Sequence, residues 1–174
     1  MSKRAKDVFP MPAPAPVAIA APQRAELRTR MRAVAGLRVH PMNPNRHPPE
    51  QIERLASAMR EFGFAVPLVL DGDGQIISGA GRLEAAKVAG FVKVPTVELA
   101  HLSKEQARAF MVADNKLARL SDFDEEALQR ELVAIAGAGL ATPALGFSDA
   151  ELAELMRGLD AAAAPALAAA SGQP

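Results

Sequence analysis

The sequence predicts an α/β domain: a small mixed β-sheet with packed helices, followed by a helical extension. Three observations carry this. Short runs of strand character, Leu37–His40, Pro67–Leu70, Gln75–Ser78 and Lys93–Leu99, alternate with helical patterns in the first part of the chain. Asp71-Gly72-Asp73-Gly74 joins two of those runs as a hairpin turn, because glycine takes the positive-φ positions. Beyond Leu99 only helical periodicity remains, opened twice by capping boxes, Ser103…Gln106 and Ser148…Glu151.

In chain order, residues 1–32 read as a disordered, basic, Pro/Ala-rich arm. PMPAPAP cannot occupy a helix interior, and it also breaks the apolar stretch that a signal peptide would need. Glu26–Arg32 suits a short helical turn. Residues 33–100 form the α/β core. Leu37–His40 alternates as a strand, and MNPNRHPP is a proline-rich loop whose last prolines suit a first helical turn. Ile52, Leu55, Ala56, Met59 and Phe62 keep helical spacing up to Gly63. The hairpin and a second helix, stopped at Gly90, lead to the last strand. Residues 101–157 form the helical extension. Ala107, Phe110, Met111, Leu117 and Leu120 make one apolar face there, with Arg108, Asn115 and Arg119 on the other. Asp124–Ala136 is a further helix, and a short one follows Ser148 to about Arg157. Residues 158–174 are a disordered Ala-rich tail.

The 174 residues contain one candidate core, hence one domain with tails. Hydrophobic residues make up 49%, but many are alanine, and Trp and Tyr are missing. Leu, Ile, Val, Phe and Met must therefore build the interior, so Phe62, Phe64, Phe91 and Phe110 read as core. With no cysteine, disulfides, thiolate metal sites and cysteine nucleophiles are excluded. A reducing cytoplasm is the expected compartment. No run approaches the roughly eighteen apolar residues of a membrane helix. Net charge is zero but unevenly placed. Lys3, Arg4, Lys6, Arg24, Arg28, Arg30 and Arg32 face only Asp7 and Glu26 in the arm, a composition suited to phosphate backbones.

Ile76–Lys87, IISGAGRLEAAK, is the stretch with chemistry in it. A strand end runs into Gly79-Ala80-Gly81, and from Arg82 the pattern turns helical. Unpaired amides and the positive end of a helix dipole would point into that loop, with an arginine at its mouth. Glycines would let a ligand approach the backbone. This is a phosphate or carboxylate cradle in outline.

Four segments in order, NPNRH with EQI (43–52), EFGFAVPLVLDGDGQIISGAGRLEAAK (61–87), VPTVEL (94–99) and VADNKLARL (112–120), resemble the amino-terminal domain of ParB-like proteins. The nearest flavour is the branch associated with phage and bacterial DNA methyltransferases. The resemblance covers about residues 36–157. It implies a sulfiredoxin-related α/β fold and a nucleoside triphosphate, CTP or ATP, at the arginine-bearing loop, with Mg²⁺ as an accompanying ion. It also implies nucleotide-driven homodimerisation on DNA. DNA would be met through the basic arm or through a partner protein, since no basic recognition helix follows the extension.

Carried over by position, Gly79, Ala80, Gly81 and Arg82 are the phosphate loop. Asn43, Arg46 and His47 belong to the earlier polar loop. Asp114 is the metal contact, and Asn115 and Arg119 complete the nucleotide face. Two departures stand out. Ala80 replaces a common His, and Asn45 stands where Arg is common, with Arg46 one place late. These weaken the case for catalysis more than the case for binding. The leading expectation is a nucleotide-binding regulatory module of a DNA-associated system. The alternatives are a metal-dependent nuclease or nucleotide-dependent kinase of the same superfamily, and a degenerate adaptor acting through protein contacts.

Overall fold

The computed structural model describes residues 27–139, 142–155 and 157. The expectations for residues 1–26 and 158–174 lie outside them. Five strands form one mixed sheet in the order β1-β5-β3-β4-β2. They are β1 Thr29–Ala33, β2 Arg38–Val39, β3 Leu68–Leu70, β4 Gln75–Ser78 and β5 Lys93–Glu98. The β1/β5 and β3/β4 pairs are antiparallel, while β3/β5 and β2/β4 are parallel. The helices are α1 Pro49–Phe62, α2 Ala80–Val88, α3 Lys104–Leu117, α4 Glu125–Gly137 and α5 Asp149–Leu155.

The α/β expectation and the helical extension are both present. Residues 29–32, read as the end of a disordered arm or as a helical turn, are instead sheet. Thr29, Met31 and Ala33 alternate with arginines, and the strand pairs with β5 from Thr29↔Val97 to Ala33↔Lys93. Pairing with a partner distant in sequence decided this, which local helix spacing cannot register.

The sheet is covered on both faces. On one, Leu68, Leu70, Ile76 and Val94 pack with Ala56 and Met59 of α1 and with Leu83, Ala85 and Ala86 of α2. On the other, Ile77 packs with Leu99 and with Ala107 and Met111 of α3. Ala56, Ala85 and Ala86 are fully enclosed, so the alanine-rich helices approach closely, and α1 packs on α2. Phe64 and Phe91 meet edge-on, with ring centroids 5.9 Å apart. Phe62 is exposed, so it is not core as the sequence suggested, and Leu117 and Leu120 are exposed too. Leu117 closes α3, and Leu120 follows it in the turn, beyond the sheet.

The local signals act as read. Pro49 opens α1 and Gly63 caps it. Asp71 Oδ1 accepts from the amides of Asp73 and Gln75 at 3.0 and 2.8 Å, which shapes the β3–β4 hairpin. The Ser103–Gln106 capping box is formed at α3, and Ser148 and Glu151 bond reciprocally at α5. Among the described residues no helix is long and apolar enough to cross a membrane.

Leu70 is fully buried between α1/α2 and the sheet. Leu70→Ala should lower the unfolding free energy by about 2–5 kcal/mol, read from urea denaturation midpoints.

Candidate functional site

The site forms where β4 ends and α2 begins. Gly79 sits at the helix N-cap in the left-handed region, φ 94° and ψ 26°, with no side-chain cap. The turn is closely packed. A Cβ at Gly79 would lie 2.7 Å from Leu68 Cδ2 and 2.8 Å from Arg82 Nη2. A Cβ at Gly81 would lie 2.9 Å from His47 Nδ1. Gly79 is demanded by its left-handed backbone and by the buried Leu68, while a Cβ at Gly81 would press on the His47 ring of the polar loop.

The first amide satisfied by the turn is Leu83 N, which donates to Gly79 O at 3.0 Å. The amides of Ala80, Gly81 and Arg82 precede it and have no intrahelical acceptor, as at any helix start. They border a cavity of about 270 Å³ lined by Asn43, Asn45, His47, Gln51, Leu55, Ile77, Ser78, Gly79, Ala80, Gly81, Arg82, Asp114, Asn115 and Ala118.

Arg82 is not at the mouth, as the sequence suggested, but in the wall. Its Nη2 donates to Pro67 O at 3.3 Å, and its Nε is buried with no partner. Burial lowers the guanidinium pKa from its ordinary value, and the charge of Asp114 opposes that shift. An under-solvated cation with an unused donor attracts an anion, since a buried unpaired N–H costs about 1–3 kcal/mol.

Asp114 comes from α3 and is held by Ser78, whose Oγ donates to Asp114 Oδ2 at 2.7 Å. A bulge makes this contact possible. Leu70 pairs with Ile76 but Val69 pairs with Ser78, so Ile77 is an extra residue in β4. The bulge turns Ser78 toward the α3 side, the kind of re-aiming that bulges perform near functional sites. The polar loop closes the other wall. His47 Nδ1 lies 3.0 Å from Gln51 Oε1, and Asn43 Oδ1 accepts from Asn45 N at 3.0 Å.

Of the residues singled out from sequence, Asn43, His47, Gly79, Ala80, Gly81, Arg82, Asp114 and Asn115 meet in this cavity. Arg46 is exposed and does not line it. Arg119 lies past the end of α3 and reaches across to Asn45 Oδ1 at 3.4 Å, at the rim. The Arg108/Asn115/Arg119 face does not form as a unit. Asn115 donates back to Met111 O at 2.7 Å, and Arg108 borders a separate groove with His40 and Asp71. Ser78, Gln51 and Asn45 were missed as site residues. The i, i+4 spacing of His47 and Gln51 was legible, while Ser78 needed the bulge.

No family model matches the chain. Over 64 residues it is 36% identical to the ParB-like nuclease domain-containing protein YnaK of Escherichia coli (strain K12), a match spanning 37% of this chain and 74% of that protein. The chain belongs to the ParB-like family. The resemblance to ParB-like amino-terminal domains therefore holds. A second relative is the probable chromosome 2-partitioning protein ParB of Deinococcus radiodurans, 37% identical over 90 residues. That match covers 49% of this chain but only 30% of the relative. In fold, the ParB-like chain is similar to the C-terminally truncated chromosome-partitioning protein ParB from Caulobacter crescentus, solved with CTP-gamma-S. The TM-score is 0.64 at 21% identity, covering 82% of this chain and 85% of that one.

Gly79 and Gly90 both have positive φ, but only Gly79 would clash, since nothing lies within 4 Å of a Cβ at Gly90. Each Ala substitution carries the left-handed penalty of roughly 1–2 kcal/mol. Gly79→Ala should therefore lower the melting temperature clearly more than Gly90→Ala, in side-by-side thermal unfolding.

Proposed function

We propose that this ParB-like chain is a nucleotide-binding regulatory module of a DNA-associated system, in chromosome or plasmid partition or in phage-type DNA modification. It takes a nucleoside triphosphate, CTP or ATP, by its phosphates. The observation that carries the proposal is the cavity wall made of three helix-start amides and the partnerless Nε of Arg82. Amides and helix dipole favour an anion there, and a guanidinium fork matches phosphate oxygens. At about 270 Å³ the cavity is below the roughly 300–1,000 Å³ of a site that encloses a drug-sized ligand. It suits the phosphate end of a nucleotide, with sugar and base toward the mouth near Asn45 and Arg119.

Asp114 would repel a phosphate unless a cation stood between them. Mg²⁺ commonly uses about one or two carboxylates together with the nucleotide's own oxygens. One carboxylate oriented by Ser78, beside Asn115, fits that demand. Among the described residues no group of three or more His, Asp or Glu side chains could hold a metal unaided. A metal here would be held jointly with the nucleotide's oxygens. Nucleotide occupancy would draw the polar loop, α2 and α3 together, and that closure would favour dimerisation or loading on DNA.

Calorimetry with CTP, ATP and GTP in Mg²⁺ tests the proposal. One nucleotide should bind, and Arg82→Ala should weaken it about tenfold or more, the scale of a lost charged hydrogen bond. No binding of any of the three at millimolar concentration would overturn the reading.

Asp114→Asn separates repulsion from metal bridging. The variant should lose most of the Mg²⁺ enhancement. In chelator it should bind at least as tightly as wild type, because the opposing negative charge is gone. A chelator affinity well below wild type would show that Asp114 serves another purpose.

A further inference from the structure

Among the described residues, the strand that the sequence placed in the arm presents a row of like charges outside the cavity. Arg28, Arg30 and Arg32 occupy alternate positions in and just ahead of β1, so strand geometry sends them to one face, about 6.7 Å apart. They line one groove with Thr96, Glu98 and Ala100. Three guanidinium groups there meet one lining carboxylate.

The row stands on a fixed support. Thr96 Oγ1 donates to Arg30 O at 2.9 Å, Arg32 bonds Glu98, and Val34 N donates to Val92 O at 2.9 Å. Among the described residues β1 pairs only with β5 and forms one edge of the sheet, whereas the cavity lies at β4 and α2. These are two separate anion-attracting places on one domain.

We infer that the Arg28/Arg30/Arg32 face of β1 is a contact surface for the phosphodiester backbone of nucleic acid. Charge complementarity and periodicity select this occupant. A row of guanidinium forks at strand pitch meets a chain that carries one anion per repeat, and an extended sugar–phosphate chain repeats on the same length scale. Arg32 is held by Glu98 and acts mainly to fix the strand, so Arg30 makes the larger contribution of these two. The contact reads no bases, because phosphate contacts position a protein and carry no sequence information. The inference rests on the DNA-associated part of the proposed function and names the surface for it. It does not depend on the nucleotide cavity.

Charged edge strands also prevent strand pairing between molecules. Charge reversal separates the two roles, because glutamate protects an edge as well as arginine does. The test uses the full chain and a labelled duplex of random sequence, with fluorescence anisotropy between about 50 and 200 mM salt. Wild type should bind with a marked salt dependence. The double variant Arg28→Glu/Arg30→Glu should bind about tenfold more weakly or worse, and Arg30→Gln alone should reduce the salt slope by about one. Both variants should stay monodisperse and keep the wild-type nucleotide affinity. Unchanged duplex affinity in the double variant would overturn the inference, leaving the contact to residues 1–26 or to a partner. Equal loss of binding to anionic vesicles that bind wild type as tightly as the duplex would also overturn it, in favour of a membrane surface. Nucleotide calorimetry on the same samples keeps a failure here distinct from a failure of the nucleotide reading.

Discussion

The site depends on a turn with no room for a side chain. At Gly79 the backbone takes a left-handed conformation that carries β4 straight into α2. Leu68 from below and the Arg82 guanidinium from the side fill the space where a Cβ would be. Core and site are therefore joined at one residue. Leu68 belongs to the fully buried layer against α1 and α2, and Arg82 belongs to the cavity wall. Because the glycine lets these two groups approach, the guanidinium is held in place by packing and by Pro67 O. Its Nε remains unsatisfied within the protein.

The second wall has a different origin. Asp114 comes from α3, which packs on the opposite face of the sheet from α1 and α2. A regular β4 would send Ser78 to the same face as Ile76. The extra residue at Ile77 reverses that alternation and brings the Ser78 hydroxyl to the Asp114 carboxylate. The cavity thus draws on both layers of the fold at the strand end where they meet. Motion of α3 relative to β4 would be felt at a carboxylate placed to influence an anion in the loop.

The electrostatic design is one of opposing charges held apart. Amides, helix dipole and a desolvated guanidinium favour an anion, while Asp114 disfavours one unless a cation intervenes. Such an arrangement makes anion binding conditional. Ala80 at the centre of the loop contributes no charge or proton to this balance, so the backbone and Arg82 carry it. The edge strand β1 is simpler, with arginines of one sign on a rigid support and Glu98 as the carboxylate that lines the same groove.

Local chemistry was legible in the sequence because it acts over a few residues. Glycines, prolines and capping boxes marked the ends of α1, α3 and α5, and Asp71–Gly74 marked the hairpin. The order of the polar segments around Asn43, Gly79 and Asp114 pointed to the family. Other features needed the assembled chain. β1 becomes a strand only by pairing with β5. The bulge at Ile77 exists only in the pairing of β3 with β4, and with it the Ser78–Asp114 contact. Arg82 lies in the wall, and Arg46 outside it, because long side chains are placed by what surrounds them. Helix ends and the hairpin follow from short-range sterics and hydrogen bonding, so residue order alone gave them. Which polar residues share a cavity follows from pairing and packing between segments far apart in the chain, so it emerged only with the assembled fold.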